Sequence, residues 1–174
     1  MKEISFPRGV LMAFIILSII AAILTLLGHF SISGYSFIIP LFYFTVFEHM
    51  NPQKYWHLVL GGVVGLTLGF ALSFIALLGP YSTIAMAVYA VIMILAISCQ
   101  VRRKLELVLN NLTWLILTPI TLIPGGVNLA NEAGPYGNII GVYAGFIIVC
   151  VVLGIACLVI ASSAKKKAQT SAQA

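Results

Sequence analysis

Few side chains in this sequence could do chemistry, and the most prominent are the adjacent residues Glu48 and His49. They end an apolar segment that begins at residue 34 and contains Pro40. A carboxylate beside an imidazole can bind a cation or relay protons at the mouth of a pore. The same pair can also be an ordinary helix end, because Asn51-Pro52 would terminate the helix there. Both interpretations stay open.

A second group of candidates lies in the apolar segment 112–130. Prolines and glycines interrupt this segment as Pro40 interrupts the earlier one. A proline removes a backbone donor, so the freed carbonyls must be satisfied within the protein or by water in a cavity. Alternatively, the prolines only kink the helices and the threonines bond to carbonyls of their own helix. The candidate residues for a solute path are Pro40, Thr45, Glu48, His49, Thr118, Pro119, Thr121, Pro124, Gly125, Gly126 and Asn128.

The sequence contains no set of residues typical of an enzyme. It has no Asp, no Ser-His-carboxylate arrangement with plausible spacing and no phosphate-binding loop followed by Lys and Ser or Thr. Cys99, Cys150 and Cys157 lie within apolar runs and lack the short spacing of zinc ligands. We therefore expect no enzymatic activity, no cofactor and no metal site.

The composition defines the elements that must position these residues. Of 174 residues, 61% are hydrophobic and only 7% are charged, whereas a soluble domain carries about 25% charged residues. So few charges exclude a soluble enzyme and a nucleic-acid-binding protein. The sequence predicts an all-α integral membrane protein with the lipid bilayer as its surroundings.

Six segments approach the roughly 20 apolar residues that a helix needs to cross a bilayer. They are residues 9–30, 34–50, 56–78, 81–100, 112–130 and 137–161. We expect one membrane domain over residues 1–162, with halves at 9–78 and 81–161. A basic, flexible tail is predicted for residues 163–174.

The basic residues predict how these spans are oriented. With six crossings, all nine Lys and Arg residues fall on one side of the membrane. The positive-inside rule then places both termini in the cytoplasm, with the protein in the inner (plasma) membrane. The nine residues are Lys2, Arg8, Lys54, Arg102, Arg103, Lys104, Lys165, Lys166 and Lys167.

Two glycine ladders suggest that the chain contains an internal repeat. Each glycine of the sixth segment follows its counterpart in the third by 76 residues, and each half also has a proline-interrupted second segment. Halves with three spans each enter the membrane from opposite sides, which predicts a 3+3 inverted-topology repeat. The ladders can equally serve close helix packing, which is compatible with transport. They consist of Gly61, Gly65 and Gly69, and of Gly137, Gly141 and Gly145.

This layout resembles the small six-span inner-membrane proteins of a bacterial family of unknown function. The matching features are the run GYSFIIPLFYF at 34–44, the first glycine ladder, and the proline-broken fifth segment followed by a glycine-rich sixth. More distantly, the layout is similar to one membrane half of fusaric-acid-resistance and aromatic-acid-exporter proteins and of plant anion channels. Those exporters introduce the ladder with an Arg and a Gly-Thr, but here the run is His57-Leu-Val-Leu-Gly-Gly62. The resemblance implies a six-span fold and transfers no site residues.

The leading functional hypothesis is a channel or transporter-like protein. A small solute would pass between the two inverted halves at segments two and five. A bundle of 174 residues is thin for a monomeric pore, so we expect a homo-oligomer packed through one or both ladders, with no nucleic-acid partner. The alternative is a non-transporting membrane subunit that binds a partner helix or a lipid.

Overall fold

The described residues of the computed structural model form helices and no strand. The model describes the backbone of residues 6–122 and 139–172, and the side chains of 14, 17–75, 77–118 and 139–165. This confirms the all-helical prediction for the described part of the chain. The helices are α1 (Phe6–His29), α2 (Gly34–Phe42), α3 (Tyr55–Ala76), α4 (Ser82–Val101), α5 (Asn111–Leu122) and α6 (Ile139–Ala172).

Among the described residues, three stretches are long and apolar enough to cross a membrane: Pro52–Ile75, Gly79–Val101 and Ile139–Lys165. They contain most of α3, all of α4 and the greater part of α6. Leu17–His29 and Gly34–Phe47 are shorter apolar helical stretches. The fold is therefore compatible with the membrane location that the composition predicts.

The second apolar segment is not one regular helix. The regular helix α2 contains Pro40 and ends at Phe42, and a π-helical turn, Tyr43–Phe47, follows it. The wider turn is closed by the Glu48 amide, which donates to the Tyr43 carbonyl five residues earlier (3.3 Å). His49 then has a left-handed φ of 48°, which ends the helical path. Because of this change in chain direction, Glu48 does not have the orientation that it would have on a continuous α-helix.

The start of α5 is fixed by a reciprocal cap. The Asn110 side-chain oxygen accepts from the Leu112 amide (3.0 Å), and the Asn110 amide donates to the Thr113 hydroxyl (3.2 Å). This arrangement satisfies amides that a helix N-terminus leaves without partners. It explains why the helix begins at Asn111, one residue before the predicted boundary.

Four helices form the core. α3 packs mainly along α5, and α2 packs mainly along α6. Side chains from all four helices, and from the π turn after α2, meet in one apolar cluster. Burial of such side chains and their close packing hold the helices together. The fully buried members of this cluster are Phe44, Leu58, Leu66, Leu112, Ile116, Val142, Val149 and Leu153.

Glycines make these helix contacts close. A Cβ on Gly65 would lie 2.6 Å from the Thr113 carbonyl oxygen of α5, and a Cβ on Gly145 would lie 2.6 Å from the Ser33 carbonyl oxygen before α2. A Cβ on Gly61 would meet the side chain of Asn110. These ladder glycines therefore face segments of their own chain and not a second subunit. The predicted packing of subunits through the ladders has no support from these positions.

α1 and α4 lie at the periphery of this core. Large apolar side chains on α4, among them Ile84, Val88 and Leu95, are exposed. α4 is tied to α3 by the Tyr89 hydroxyl, which donates to the Leu68 carbonyl (3.1 Å). Exposed apolar surface of this extent is suited to lipid or to another apolar helix.

α6 continues past the predicted end of the sixth segment at residue 161. The helix reaches Ala172 and includes the three consecutive lysines 165–167. Ala, Lys and Gln are strong helix formers, and they dominate this stretch. The segment 163–172 that was predicted as a flexible tail is therefore helical.

Candidate functional site

A polar cavity lies at the end of the bundle where α3 and α5 begin. Its volume is about 280 Å³. Ten residues from both proposed halves of the chain line it: Tyr43, Glu48, Lys54, His57, Gln100, Arg103, Glu106, Leu109, Asn110 and Asn111.

The first wall is built by the π turn and the start of α3. Tyr43 is buried, and its hydroxyl donates to Glu48 Oε1 at 2.6 Å. A carboxylate that accepts a short hydrogen bond is held in one orientation. Lys54 and His57 stand beside it, because the short 3₁₀ turn Pro52–Lys54 leads directly into α3.

The second wall is the tight connection between α4 and α5. Arg103 and Leu105 have left-handed φ angles of 53° and 62°. The Lys104 amide donates to the Cys99 carbonyl (2.8 Å), which folds the chain back over the end of α4. These bends bring the side chains of Arg103 and Glu106 to the cavity.

Asn110 joins the two walls. Its side-chain nitrogen donates to the His57 carbonyl of α3 at 2.7 Å, while its side-chain oxygen caps α5. The residue is 7% exposed, so loss of these bonds would leave buried polar groups without partners. Gly61 leaves the space that the Asn110 side chain occupies. Asn110 therefore connects the cap of α5 to the base of α3.

The lining carries both signs of charge. Glu48 and Glu106 supply carboxylates, and Lys54 and Arg103 supply cations. His57 adds an imidazole whose Nδ1 is buried without a hydrogen-bond partner among the described residues. The arrangement can bind polar groups of either sign.

Within residues 6–122 and 139–172, no group of three or more His, Cys, Asp or Glu side chains could hold a metal ion. The acids Glu48 and Glu106 share the lining with His57, but they do not converge on one point with it.

The apolar core lies directly behind the lining. Phe44, Leu58 and Leu112 follow the lining residues Tyr43, His57 and Asn111 in sequence, and each of the three is fully buried. Together with Leu66 and Ile116 they belong to the central cluster. The cavity is thus open at one end of the bundle and backed by packed side chains.

The predicted site residues lie in different surroundings. Glu48 lines the cavity, whereas its neighbour His49 is exposed and does not. Pro40 is fully buried inside α2. Thr45 and Thr118 are exposed, and their hydroxyls donate to carbonyls of their own helices, Leu41 (2.8 Å) and Trp114 (2.7 Å).

The remaining candidate residues either belong to the described backbone alone or lie outside the described residues. Pro119 and Thr121 belong to the backbone of α5. The other four path candidates and the first glycine of the second ladder lie outside the described residues: Pro124, Gly125, Gly126, Asn128 and Gly137.

Sequence reasoning missed most of the lining. His57 was not among the candidate residues, and the turn after α4 entered the predictions only through the basic residues that orient the spans. One signal was present: Asn110 stands immediately before an apolar run, with Thr113 three residues later, which is the pattern of a helix N-terminus. The Tyr43–Glu48 bond gave no such signal, because residues five apart do not face each other on an ordinary α-helix.

A second cavity of about 290 Å³ lies between the far end of α3 and the start of α6. It is an open groove with mainly apolar walls. The rings of Phe70 and Tyr143 stack with centroids 5.3 Å apart, and the Thr67 hydroxyl lies 3.3 Å from that of Tyr143. Phe74 and Ile139 complete its rim with Ala71.

No protein-family model, curated protein or solved structure matches this chain. The resemblance to the six-span family therefore stays a prediction.

Proposed function

We propose that this chain is a six-span inner-membrane protein that passes a small polar solute between two inverted halves. The observation that carries the proposal is the polar cavity, which has one wall from each half. It lies where the second segment ends and the fifth begins. Short or interrupted segments at matching positions of two halves mark the solute site in many transporters.

The helix pairing supports the inverted repeat. α3 packs along α5, and α6 packs along α2. A two-fold relation that exchanges the halves maps α3 onto α6 and α5 onto α2, so it relates these two contacts to each other. Thr67 and Tyr143 differ by the repeat offset of 76 residues and contact each other, as equivalent positions on such an axis would.

The length of α2 supports a discontinuous span. This helix has 9 residues, whereas a regular helix needs about 20 to cross the hydrocarbon core. The Tyr35 hydroxyl donates to the Ile116 carbonyl of α5, three residues before Pro119. A carbonyl in the helical turn before the proline of one half thus accepts a hydrogen bond from the other half.

The cavity residues also agree with the proposed topology. Lys54 and Arg103 belong to the two connections that the positive-inside rule assigns to the cytoplasm, and both line this cavity. We therefore assign the cavity as the cytoplasmic mouth of the solute path, with both termini on the same side.

Passage requires the core to open. Phe44, Leu66 and Ile116 are fully buried behind the cavity, and a packed layer of this kind excludes a continuous water path. The protein therefore functions as a gated transporter and not as a permanently open channel. The buried atoms His57 Nδ1 and Trp114 Nε1, on α3 and α5, lack hydrogen-bond partners among the residues that the structure describes, which favours a second arrangement that would satisfy them.

The test is stopped-flow light scattering on proteoliposomes that contain the purified protein. A panel of small neutral solutes, organic anions and zwitterions is compared with empty liposomes. Faster re-swelling with one solute class supports the proposal. Rates equal to those of empty liposomes for the whole panel, with protein shown to be folded and inserted, would refute it.

The exposed α4 favours one alternative. Its apolar side chains, such as Ile92 and Leu95, contact little of the chain, and a partner helix could cover them. A non-transporting subunit would copurify with a stoichiometric partner and show no flux alone. A homo-oligomer would instead give a multiple of the chain mass in detergent, and both are distinguished by mass measurement of the purified complex.

A further inference from the structure

We propose that the polar cavity binds a small zwitterion, a molecule with one ammonium and one anionic group. This inference rests on the proposed function, because it names the substrate class of the same cavity. It starts from the lining, in which Glu48 and Glu106 are balanced by Lys54 and Arg103.

A ligand with a single charge would gain little in this cavity. An anion attracted by Lys54 and Arg103 would also be repelled by the two carboxylates, and a cation would meet the opposite problem. A zwitterion can place each charge against a group of opposite sign. Complementary potentials of this kind determine which ligands a site selects.

The hydrogen bonds of Glu48 prepare it for an ammonium group. Its Oε1 accepts from Tyr43, while no hydrogen bond to Oε2 is found within the described part of the chain. An ammonium donates up to three hydrogen bonds and can use the second oxygen. The Tyr43 hydroxyl thus orients the carboxylate without occupying it fully.

Arg103 provides the matching group for the anionic end. It follows Gln100 and Arg102 in a tight turn and lines the cavity. A guanidinium binds carboxylate or phosphate oxygens in pairs. Gln100 and Asn111 line the same cavity, and the Gln100 side-chain nitrogen donates to the Asn111 side-chain oxygen at 3.4 Å.

The cavity size limits the ligand. A volume of about 280 Å³ lies just below the range of about 300 to 1,000 Å³ that is typical of ligand pockets. An amino-acid-sized solute fits, and so does the headgroup of a zwitterionic lipid whose acyl chains remain outside. Both sources present the same chemistry to the cavity.

Binding to matched probes tests the inference. Isothermal titration of the full chain in dodecyl maltoside compares β-alanine with propionate, propylamine and propionamide, which have similar size and different charge. We expect β-alanine to bind at least about tenfold more tightly than the other three. Equal or tighter binding of a singly charged or neutral probe would overturn the inference.

Two variants provide a crossed control. Glu48→Gln should weaken β-alanine binding at least about tenfold and leave propionate the better of the two singly charged probes, because only a carboxylate is lost. Arg103→Gln should weaken β-alanine similarly and favour propylamine. Lys165→Gln changes a charge outside the cavity lining and should bind as the unmodified chain does. Equal losses in all three variants would contradict the assignment.

Nanodiscs of phosphatidylglycerol, with and without phosphatidylethanolamine, distinguish a lipid headgroup from a free solute as the source of the zwitterion. Weaker β-alanine binding when phosphatidylethanolamine is present assigns the site to the lipid headgroup, and unchanged binding assigns it to a free solute. β-Alanine flux into proteoliposomes is measured in parallel. Binding without flux would refute the proposed transport and keep the zwitterion site. Flux of a different solute class without β-alanine binding would refute the zwitterion site and keep the proposed transport.

Discussion

The two cavities of the molecule are nearly equal in volume and opposite in chemistry. The polar cavity of about 280 Å³ is lined by four charged side chains, and the groove of about 290 Å³ is lined mainly by aromatic and aliphatic ones. They lie at opposite ends of α3, whose 22 residues span about 33 Å. The size of a cavity alone therefore says little about what it binds.

The difference arises from how each cavity is built. Chain connections supply most of the polar lining, which includes Glu48 after the π turn and Arg103 after α4. The groove is formed by regular helix faces, with Phe70 and Tyr143 in contact. Polar groups suited to recognition gather where helices end, because the chain meets water there. The groove is suited to contact with lipid tails.

The largest difference is expected between two phenylalanines. Phe44 is fully buried behind the polar cavity, while Phe74 on the groove is 52% exposed. Phe44→Ala should lower the free energy of unfolding by about 3–5 kcal/mol, because it leaves a void in the core. Phe74→Ala should cost less than about 1 kcal/mol. The free energy of unfolding of both variants is measured in mixed dodecyl maltoside and SDS micelles, with tryptophan fluorescence as the signal. Equal losses would contradict the difference in packing between Phe44 and Phe74.

Two glycines provide a second comparison between packed and open surface. Gly65→Leu would place a side chain against the Thr113 backbone of α5 and should destabilise the fold by about 1–3 kcal/mol. Gly28→Leu is the matched control, because a Cβ at Gly28 meets nothing within 4 Å. A melting temperature that falls only for the Gly65 variant is the expected result. An unchanged melting temperature in both would contradict the close α3–α5 contact.

Asn110 tests whether the polar cavity depends on its cap. Asn110→Ala removes the cap of α5 and the bond to the His57 carbonyl, and should cost about 1–2 kcal/mol. Asn51→Ala removes one exposed bond to the Gln53 amide and should cost less. The same micelle titration compares the two. A greater loss at Asn51 would show that the α3–α5 junction does not depend on this cap.

The smallest effect is expected in the groove. Thr67→Val removes the 3.3 Å contact between the Thr67 and Tyr143 hydroxyls, but the Thr67 hydroxyl also donates to the Val63 carbonyl of its own helix. The side chain is exposed, so we expect a change within about 0.5 kcal/mol. A loss above about 2 kcal/mol would make this contact a main support of the α3–α6 interface.

Much of the helical framework could be predicted from composition and hydrophobic length. The third and fourth segments were predicted at 56–78 and 81–100, and the helices run over Tyr55–Ala76 and Ser82–Val101. Long apolar runs leave the backbone little choice but to form helices. The interruption at Pro40 was also visible, because a proline lacks the amide that a continuous helix needs.

The lining of the cavity was much harder to predict. Glu48 was a candidate, but its neighbour His49 does not line the cavity and the more distant His57 does. The reason is the π turn and the left-handed φ of His49, which local pattern does not encode. Arg103 and Glu106 reach the cavity through backbone bends in a connection, and such contacts depend on the packing of the whole bundle.

The central claim is that the polar cavity, and not the groove, is part of a solute path. The most direct measurement compares re-swelling of proteoliposomes that contain the unmodified chain, Glu48→Gln or Thr67→Val, with β-alanine as the solute. The account predicts flux above empty liposomes, at least about a tenfold reduction for Glu48→Gln, and no change for Thr67→Val. Equal flux in the Glu48→Gln and unmodified proteins would contradict it, and so would the absence of flux in all three proteins when β-alanine is shown to bind.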